Sequence, residues 1–181
     1  MALTVTGGES YIECEVCTEK SPIIWGEGNP LAPIAIILDN PGTRINKEGN
    51  EYVCPTRQTL QKAIYDAGLK SEDIYVTYLL KCRPRRSYDK QKARLFSMPY
   101  LTKQIKVLNP KLLMFLGDTA VRSVLNDNDA SVKELRGMWH NIMERPSIIS
   151  YHPLAVIRRP NLKNNFTQDF ALLAHRFYDT N

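Results

Sequence analysis

Residues 34–42 read Ile-Ala-Ile-Ile-Leu-Asp-Asn-Pro-Gly, an apolar run followed by two polar side chains and a turn. A short apolar run that ends in turn residues is typical of a fully buried strand in a parallel sheet. Residues 74–80, 112–116 and 147–151 have the same character. The sequence therefore predicts a central sheet of four parallel strands.

Amphipathic stretches lie between the predicted strands. One helix face is formed by Leu60, Ala63, Ile64 and Ala67, and Gly68 follows where a helix typically ends. Further helices are predicted around 96–105, after a cap at Asp118, and around 166–177. Alternating strands and helices indicate an α/β fold, a three-layer α/β/α sandwich with its active surface at the carboxyl ends of the strands.

Length and composition limit the class of protein. The chain has 181 residues, of which 43% are hydrophobic and 24% are charged, the balance of an ordinary globular protein. This balance excludes a disordered chain, a collagen-like repeat and a coiled coil, and it predicts a single domain over residues 1–181. No apolar run is long enough to span a membrane, and Met1 to Ser10 lack the pattern of a signal peptide. A cytoplasmic monomer without a membrane partner is expected.

The charge pattern favours a polyanionic partner. Lys and Arg number 24 against 19 Asp and Glu, which gives a net charge of +5. The loop after the second predicted strand holds four cations, Lys81, Arg83, Arg85 and Arg86. Arg158 and Arg159 follow the fourth strand, so two basic loops at one sheet edge could follow a phosphate backbone. A solvated run of charges is the alternative.

Polar groups that can do chemistry follow the first and fourth strands. Asp39 and Asn40 precede a Pro-Gly turn, where an amide or carboxylate can hold a water molecule against a substrate. His152, fixed by Pro153, can donate a hydrogen bond to developing negative charge. Taken singly, each motif has a structural alternative, which is plain turn chemistry for the first and a structural histidine for the second.

Four cysteines occur, Cys14, Cys17, Cys54 and Cys82. In a reducing compartment metal ligands or buried thiols are favoured over disulfides. The Cys14–Cys17 spacing is that of half a metal site, and Cys82 is a candidate third ligand.

Several motifs in order resemble the uracil-DNA glycosylase superfamily, most closely its family 4 iron–sulfur enzymes. The resemblance covers nearly the whole chain, from Cys14 to the last helix. Its motifs are Cys14-x-x-Cys17, Trp25-Gly26-Glu27-Gly28-Asn29-Pro30, Pro41-Gly42, Lys81-Cys82-Arg83-Pro84, Lys103-Gln104-Ile105, Leu116-Gly117, Arg136-Gly137-x-Trp139 and Tyr151-His152-Pro153. The resemblance implies hydrolysis of the N-glycosidic bond of a base flipped out of DNA.

The resemblance also implies roles for single residues. His152 stabilises the departing base, a polar group of the first loop positions water, and Tyr52 stacks on the base. Val156 and Ile157 lie where an apolar wedge could fill the vacated stack. An iron–sulfur cluster is implied, with Cys14, Cys17 and Cys82 as three of its ligands.

Three departures from the family 4 pattern stand out. Asn40-Pro41-Gly42 is similar to the mismatch-specific branch, in which the Asn positions the water, so Asn40 is favoured over Asp39 for that role. Tyr78 stands where family 4 has an Asn that recognises the uracil edge, and a phenol cannot reproduce its paired donor and acceptor. The fourth cluster cysteine is expected near residues 96–98, and no cysteine occurs there.

Two functions of different classes follow. The first is a DNA glycosylase that removes uracil or a modified pyrimidine in base excision repair. The alternative is a catalytically weak or inactive protein of the same fold that binds DNA or a protein partner. Retention of Asn40 and His152 favours the enzyme, because a protein that only binds has no need of a water-holding group. A nucleotide-binding α/β protein is disfavoured, since the chain lacks a Gly-rich phosphate loop of the standard kinds.

Overall fold

A computed structural model describes residue 17 and residues 23–42, 54–84 and 87–179. The strands in these ranges are β1 (Gly26–Gly28), β2 (Ile34–Leu38), β3 (Ile74–Tyr78), β4 (Leu112–Leu116), β5 (Trp139–Ile142) and β6 (Arg145–Ser150). The helices are α1 (Pro55–Asp66), α2 (Lys90–Leu108), α3 (Asp118–Leu125), α4 (Val132–Leu135), α5 (Pro153–Arg158) and α6 (Lys163–Asp179). None of these helices is both long and apolar enough to cross a membrane.

The strands form one sheet in the order β1-β3-β2-β4-β6-β5. The four central strands are parallel, which confirms the four predicted from the apolar runs. The sheet has six strands rather than four, because β1 and β5 pair antiparallel at its two edges. The Gly-Glu-Gly sequence of β1 has no apolar alternation, so its sequence gives no strand signal.

Both faces of the central strands are buried, and alternate residues belong to two different cores. Ile34, Ile36 and Leu38 of β2 pack with α1, α5 and α6. Ala35 and Ile37 point the other way and pack with α2, α3 and α4. This alternation explains the continuous apolar runs and confirms the three-layer α/β/α sandwich.

Helix ends differ in one respect from the sequence prediction. Gly68 lies just beyond α1 with φ of +78°, as expected for a residue after a helix end. Asp118, predicted as a helix cap, is instead the first residue of α3, and Gly117 takes the cap position. The carboxylate of Asp118 accepts the backbone N–H of Val132 at 2.8 Å, and so it joins α3 to α4.

The sheet order changes direction beside β2. The chain passes from β2 to β3 on one side, and it then passes to β4 and β6 on the other side. Ligands of open α/β sheets bind outside the carboxyl ends of the strands at such a point. The loops after β2 and β6 are therefore where a site is expected.

Candidate active site

A cavity of about 570 Å³ lies at the carboxyl ends of the parallel strands. Asp39 and Asn40 from the loop after β2 line it, together with His152 from the loop after β6. The side chains of Ile24, Leu38 and Leu60 supply part of its apolar wall. The three residues that were predicted from the sequence to be catalytic therefore lie together, in a cavity of ordinary ligand-binding size.

His152 presents a hydrogen-bond donor to this cavity. It caps the N-terminus of α5, where its Nδ1 accepts the backbone N–H of Leu154 at 3.1 Å. A ring nitrogen that accepts a hydrogen bond carries no proton, so the proton of the neutral ring lies on Nε2. Nε2 lies 3.4 Å from Oδ1 of Asp39. The local fold of α5 therefore selects the tautomer that can donate to a ligand.

Asp39 is a carboxylate at neutral pH. Burial raises its pKa, but the hydrogen bond with His152 and the backbone N–H of Asn40 act in the opposite direction. The sum leaves the pKa of Asp39 below its ordinary value of 3.8. The backbone N–H of Asn40 donates to Oδ1 of Asp39 at 2.9 Å, and this contact also fixes the carboxylate in the turn. A negative charge is therefore held opposite the donor of His152.

Asn40 lines the cavity, and its side-chain nitrogen is held by the turn that follows it. Its Nδ2 donates to the backbone oxygen of Pro41 at 2.9 Å. With the amide nitrogen engaged, Oδ1 is the group that can accept a hydrogen bond from water. The amide orientation is therefore set by the Pro-Gly turn that follows it.

Gly117 allows the His152 loop to approach the end of β4. Its φ of +94° lies in a region that residues with a side chain rarely adopt. A Cβ atom built at this position would lie 2.9 Å from Cβ of His152. Any larger residue would therefore push against the histidine.

A buried ion pair supports the strand that leads to His152. Asp169 of α6 is fully buried and accepts from Arg136 at 2.6 and 3.0 Å. The hydroxyl of Ser150, at the end of β6, donates to the same carboxylate at 2.5 Å. Burial raises the pKa of Asp169, although Arg136 and Ser150 oppose the rise. This network ties the last residue of β6 to α6.

A second cluster of polar side chains lines the cavity, and one of its members, Arg57, was not predicted from the sequence. The hydroxyl of Tyr78 donates to Oε1 of Glu27 at 2.6 Å. Arg57 forms an ion pair with Oε2 of the same carboxylate at 2.8 Å. Glu27 falls within the Trp25–Pro30 motif, whereas Arg57 lies in the first turn of an amphipathic helix and belongs to no motif. All three side chains line the cavity.

The residues predicted to contact DNA differ in whether the structure describes them and in how exposed they are. Arg83 is exposed at the rim of the cavity, and Arg158 is exposed on α5. The predicted contacts Arg85 and Arg86, and the predicted stacking residue Tyr52, lie outside the described residues.

The prediction that Lys81 contacts DNA is wrong, because its side chain is fully buried and cannot reach a phosphate. Its Nζ donates to Oγ1 of Thr77, the backbone oxygen of Tyr78 and Oε1 of Gln104 at 2.9, 2.6 and 2.5 Å. The first residue of the basic loop is thus part of the interior, and the exposed cations begin at Arg83.

The residues available for an apolar wedge differ from those predicted. Val156 is buried in the core under α5, so it cannot enter a base stack. Ile157 is 41% exposed and Leu154 37% exposed, and both line the cavity. Their spacing of three residues places them on one face of the helix. The wedge stays a prediction for Ile157, and Leu154 is better exposed for such a role than Val156.

Two of the four cysteines form a disulfide. Cys17 and Cys82 are bonded to each other with their Cα atoms 5.8 Å apart, so the prediction of thiols over disulfides is wrong for this pair. Phe96, from the segment where a fourth cluster ligand was expected, packs against buried Cys82. In the described ranges, no three His, Cys, Asp or Glu side chains could share a metal ion. Cys14 lies outside those ranges. The described residues therefore do not fit a four-cysteine cluster.

Comparison with known proteins agrees with the geometry. The model of the uracil DNA glycosylase superfamily matches residues 25–173. A type-4 uracil-DNA glycosylase of Sulfurisphaera tokodaii is 30% identical over 175 residues, which cover 90% of this chain and 79% of that protein. The type-4 enzyme of Archaeoglobus fulgidus is 27% identical, with 87% of this chain and 83% of that protein covered. The type-4 enzyme of Thermotoga maritima is 26% identical, with 80% and 77% covered.

The fold, the cavity and these similarities define the class of protein. The chain is a DNA glycosylase, a hydrolase that acts on N-glycosyl bonds. Within this class it belongs to the uracil DNA glycosylase superfamily.

Proposed function

We propose that the chain removes uracil or a modified pyrimidine from DNA by hydrolysing the N-glycosidic bond of a flipped-out nucleotide. The single observation that supports this reaction best is the His152–Asp39 arrangement. A hydrogen-bond donor and a carboxylate face each other at 3.4 Å in one cavity. The type-4 relatives, which are named for uracil, support uracil as the first base to test.

The bond to be broken dictates what each group does. As the bond between base and sugar lengthens, negative charge builds on the pyrimidine and positive charge on the sugar. The Nε2–H of His152, which faces Asp39 in the free protein, donates instead to the base oxygen that gains charge once the base is bound, and this contact is strongest in the transition state. The carboxylate of Asp39 stabilises the cationic sugar.

Water completes the reaction. Oδ1 of Asn40 accepts a hydrogen bond from the water and holds it near the sugar carbon. The water oxygen bonds to that carbon, the electron pair of the old bond leaves with the base, and the released proton balances the base anion. An abasic site and a free base are the products.

The protein must take the base out of the helix before this chemistry can occur. Leu154 and Ile157 are exposed apolar side chains beside the cavity, and they are suited to fill the space that the base leaves. Arg83 and Arg158 supply positive charge for the phosphates, and the predicted Arg85 and Arg86 extend it. The proposed partner is therefore DNA, bound by one copy of the chain.

The test uses synthetic DNA strands that each contain one candidate base, either uracil or a modified pyrimidine. The wild-type protein is expected to convert at least one of them to an abasic site, which alkali then cleaves. Tight DNA binding without any strand cleavage by alkali would instead support the binding protein of the same fold.

A further inference from the structure

Tyr78 does not itself present a free hydroxyl to the base. It is 8% exposed, and its hydroxyl already donates to Oε1 of Glu27. The polar surface in this part of the cavity therefore comes from Glu27 and its second partner, Arg57. Both belong to elements that frame the cavity, Glu27 to β1 and Arg57 to α1.

Arg57 retains a donor that the protein does not use. Its guanidinium bonds Oε2 of Glu27 at 2.8 Å. Its Nε is buried and has no hydrogen-bond partner within the described part of the chain. A buried N–H without an acceptor costs free energy, and native structures usually explain it by a ligand, an ion or water.

Glu27 retains acceptor capacity beside that donor. A carboxylate has about four lone-pair positions. Tyr78 contacts Oε1 and Arg57 contacts Oε2, so each oxygen has one such contact. The Glu27 side chain is 17% exposed and lines the cavity.

We infer that Arg57 and Glu27 together recognise the edge of the flipped base, and that they select bases with a carbonyl oxygen beside a ring N–H. This inference rests on the proposed function. With the base bound, Arg57 turns its Nε–H, which is buried in the free protein, toward the carbonyl, and the carboxylate of Glu27 accepts the ring N–H. Uracil has this edge, whereas cytosine held in the same register places its amino group against the donor and its ring acceptor against the carboxylate. The pair thereby supplies the paired donor and acceptor that a phenol at position 78 cannot supply.

Two matched controls come from the same helix. Glu27 and Arg57 also border a second cavity of about 370 Å³, which Gln61 lines and which excludes Asp39 and His152. Gln61→Ala therefore tests whether the base enters that second cavity instead. Lys62 is exposed and, among the described residues, pairs with Asp66 one turn further along the helix, so Lys62→Gln removes a like charge without touching the cavity.

The experiment measures binding in a His152→Ala background, in which cleavage is slowed about 10²-fold so that binding is measured before the base is released. Two single-stranded oligonucleotides differ only in one uracil or cytosine, which removes any contribution from base pairing. The background protein is expected to prefer uracil by about tenfold, the scale of one bidentate contact to a base. Arg57→Lys keeps the positive charge but removes the Nε donor, and it is expected to abolish the preference. Glu27→Gln is expected to weaken the preference, while Gln61→Ala and Lys62→Gln leave it unchanged.

An unchanged preference in folded Arg57→Lys would overturn the inference, as would a loss of preference in Gln61→Ala alone. Uracil excision by the wild-type protein is measured in parallel. Excision with no effect of Arg57→Lys refutes the base-recognition pair and leaves the glycosylase intact. No excision of any base refutes the proposed function instead.

Discussion

Nε2 of His152 lies 3.4 Å from Oδ1 of Asp39, although the strands that precede them are not neighbours in the sheet. Strand β4 separates β2 from β6, and it ends in Gly117, which has no side chain to block the approach. The histidine and the carboxylate can therefore meet above the end of β4. This geometry makes the activity depend on both loops at once.

The ionisation of Asp39 predicts how the effect of Asp39→Asn on the cleavage rate depends on pH. Because its pKa lies below the ordinary value of 3.8, Asp39 stays ionised throughout the neutral and mildly acidic range. Asp39→Asn is expected to slow single-turnover cleavage on the order of 10²-fold, the size of other electrostatic contributions. The ratio of wild-type to variant rates should be constant from about pH 8 to pH 5 and shrink only as Asp39 is protonated in stronger acid. A ratio that already falls near neutral pH would show that another group carries the charge.

The site could be predicted from the sequence because the loops that follow parallel strands lie at one edge of the sheet. Asn40 and His152 each follow an apolar run, so pattern alone placed them in the same region. The burial of Lys81 was not predictable, because its partners Thr77 and Gln104 come from different elements. Arg57 was missed for a similar reason, since only the tertiary fold brings the first turn of α1 to Glu27.

Gly117→Ala tests the approach of the two loops without altering a polar group. The added Cβ would lie 2.9 Å from Cβ of His152, so the histidine has to shift. Cleavage is expected to fall at least tenfold, because small displacements of catalytic groups are costly. DNA affinity, measured by fluorescence anisotropy, should change little. The matched control is Gly137→Ala, which also has a positive φ but, in the described part of the chain, no heavy atom within 4 Å of its added Cβ. Equal losses in both variants would assign the effect to backbone strain.

The exposed arginines should govern the salt dependence of DNA binding. Replacing both Arg83 and Arg158 with Ala is expected to flatten the plot of log affinity against log salt by about one to two units of slope. Lys81→Met serves as the contrast, because its buried side chain contacts no phosphate and should leave the slope unchanged in folded protein. A slope altered by Lys81→Met and unaffected by the arginine pair would reverse this assignment.

The disulfide predicts a simple chemical result. Because Cys17 is bonded to Cys82, reduction of the denatured protein should expose two additional thiols. Reduction of the native protein should also lower its stability by about 2–4 kcal/mol, the usual range for a native disulfide. Thiol titration before and after reduction, with iron analysis of the same sample, gives the answer. Bound iron together with an unchanged thiol count would contradict the disulfide and support the cluster that the resemblance implies.

The most direct test of the proposed reaction is single-turnover cleavage of a uracil-containing DNA strand by the wild type, His152→Ala and Asn40→Ala, with DNA affinity measured on the same proteins. An interaction made only in the transition state lowers the rate without weakening ground-state binding. We therefore expect uracil release by the wild type, about 10²-fold slower release by His152→Ala, and slower release by Asn40→Ala, all with nearly equal affinity for DNA. Wild-type cleavage that neither substitution slows would contradict the assignment of this cavity as the active site.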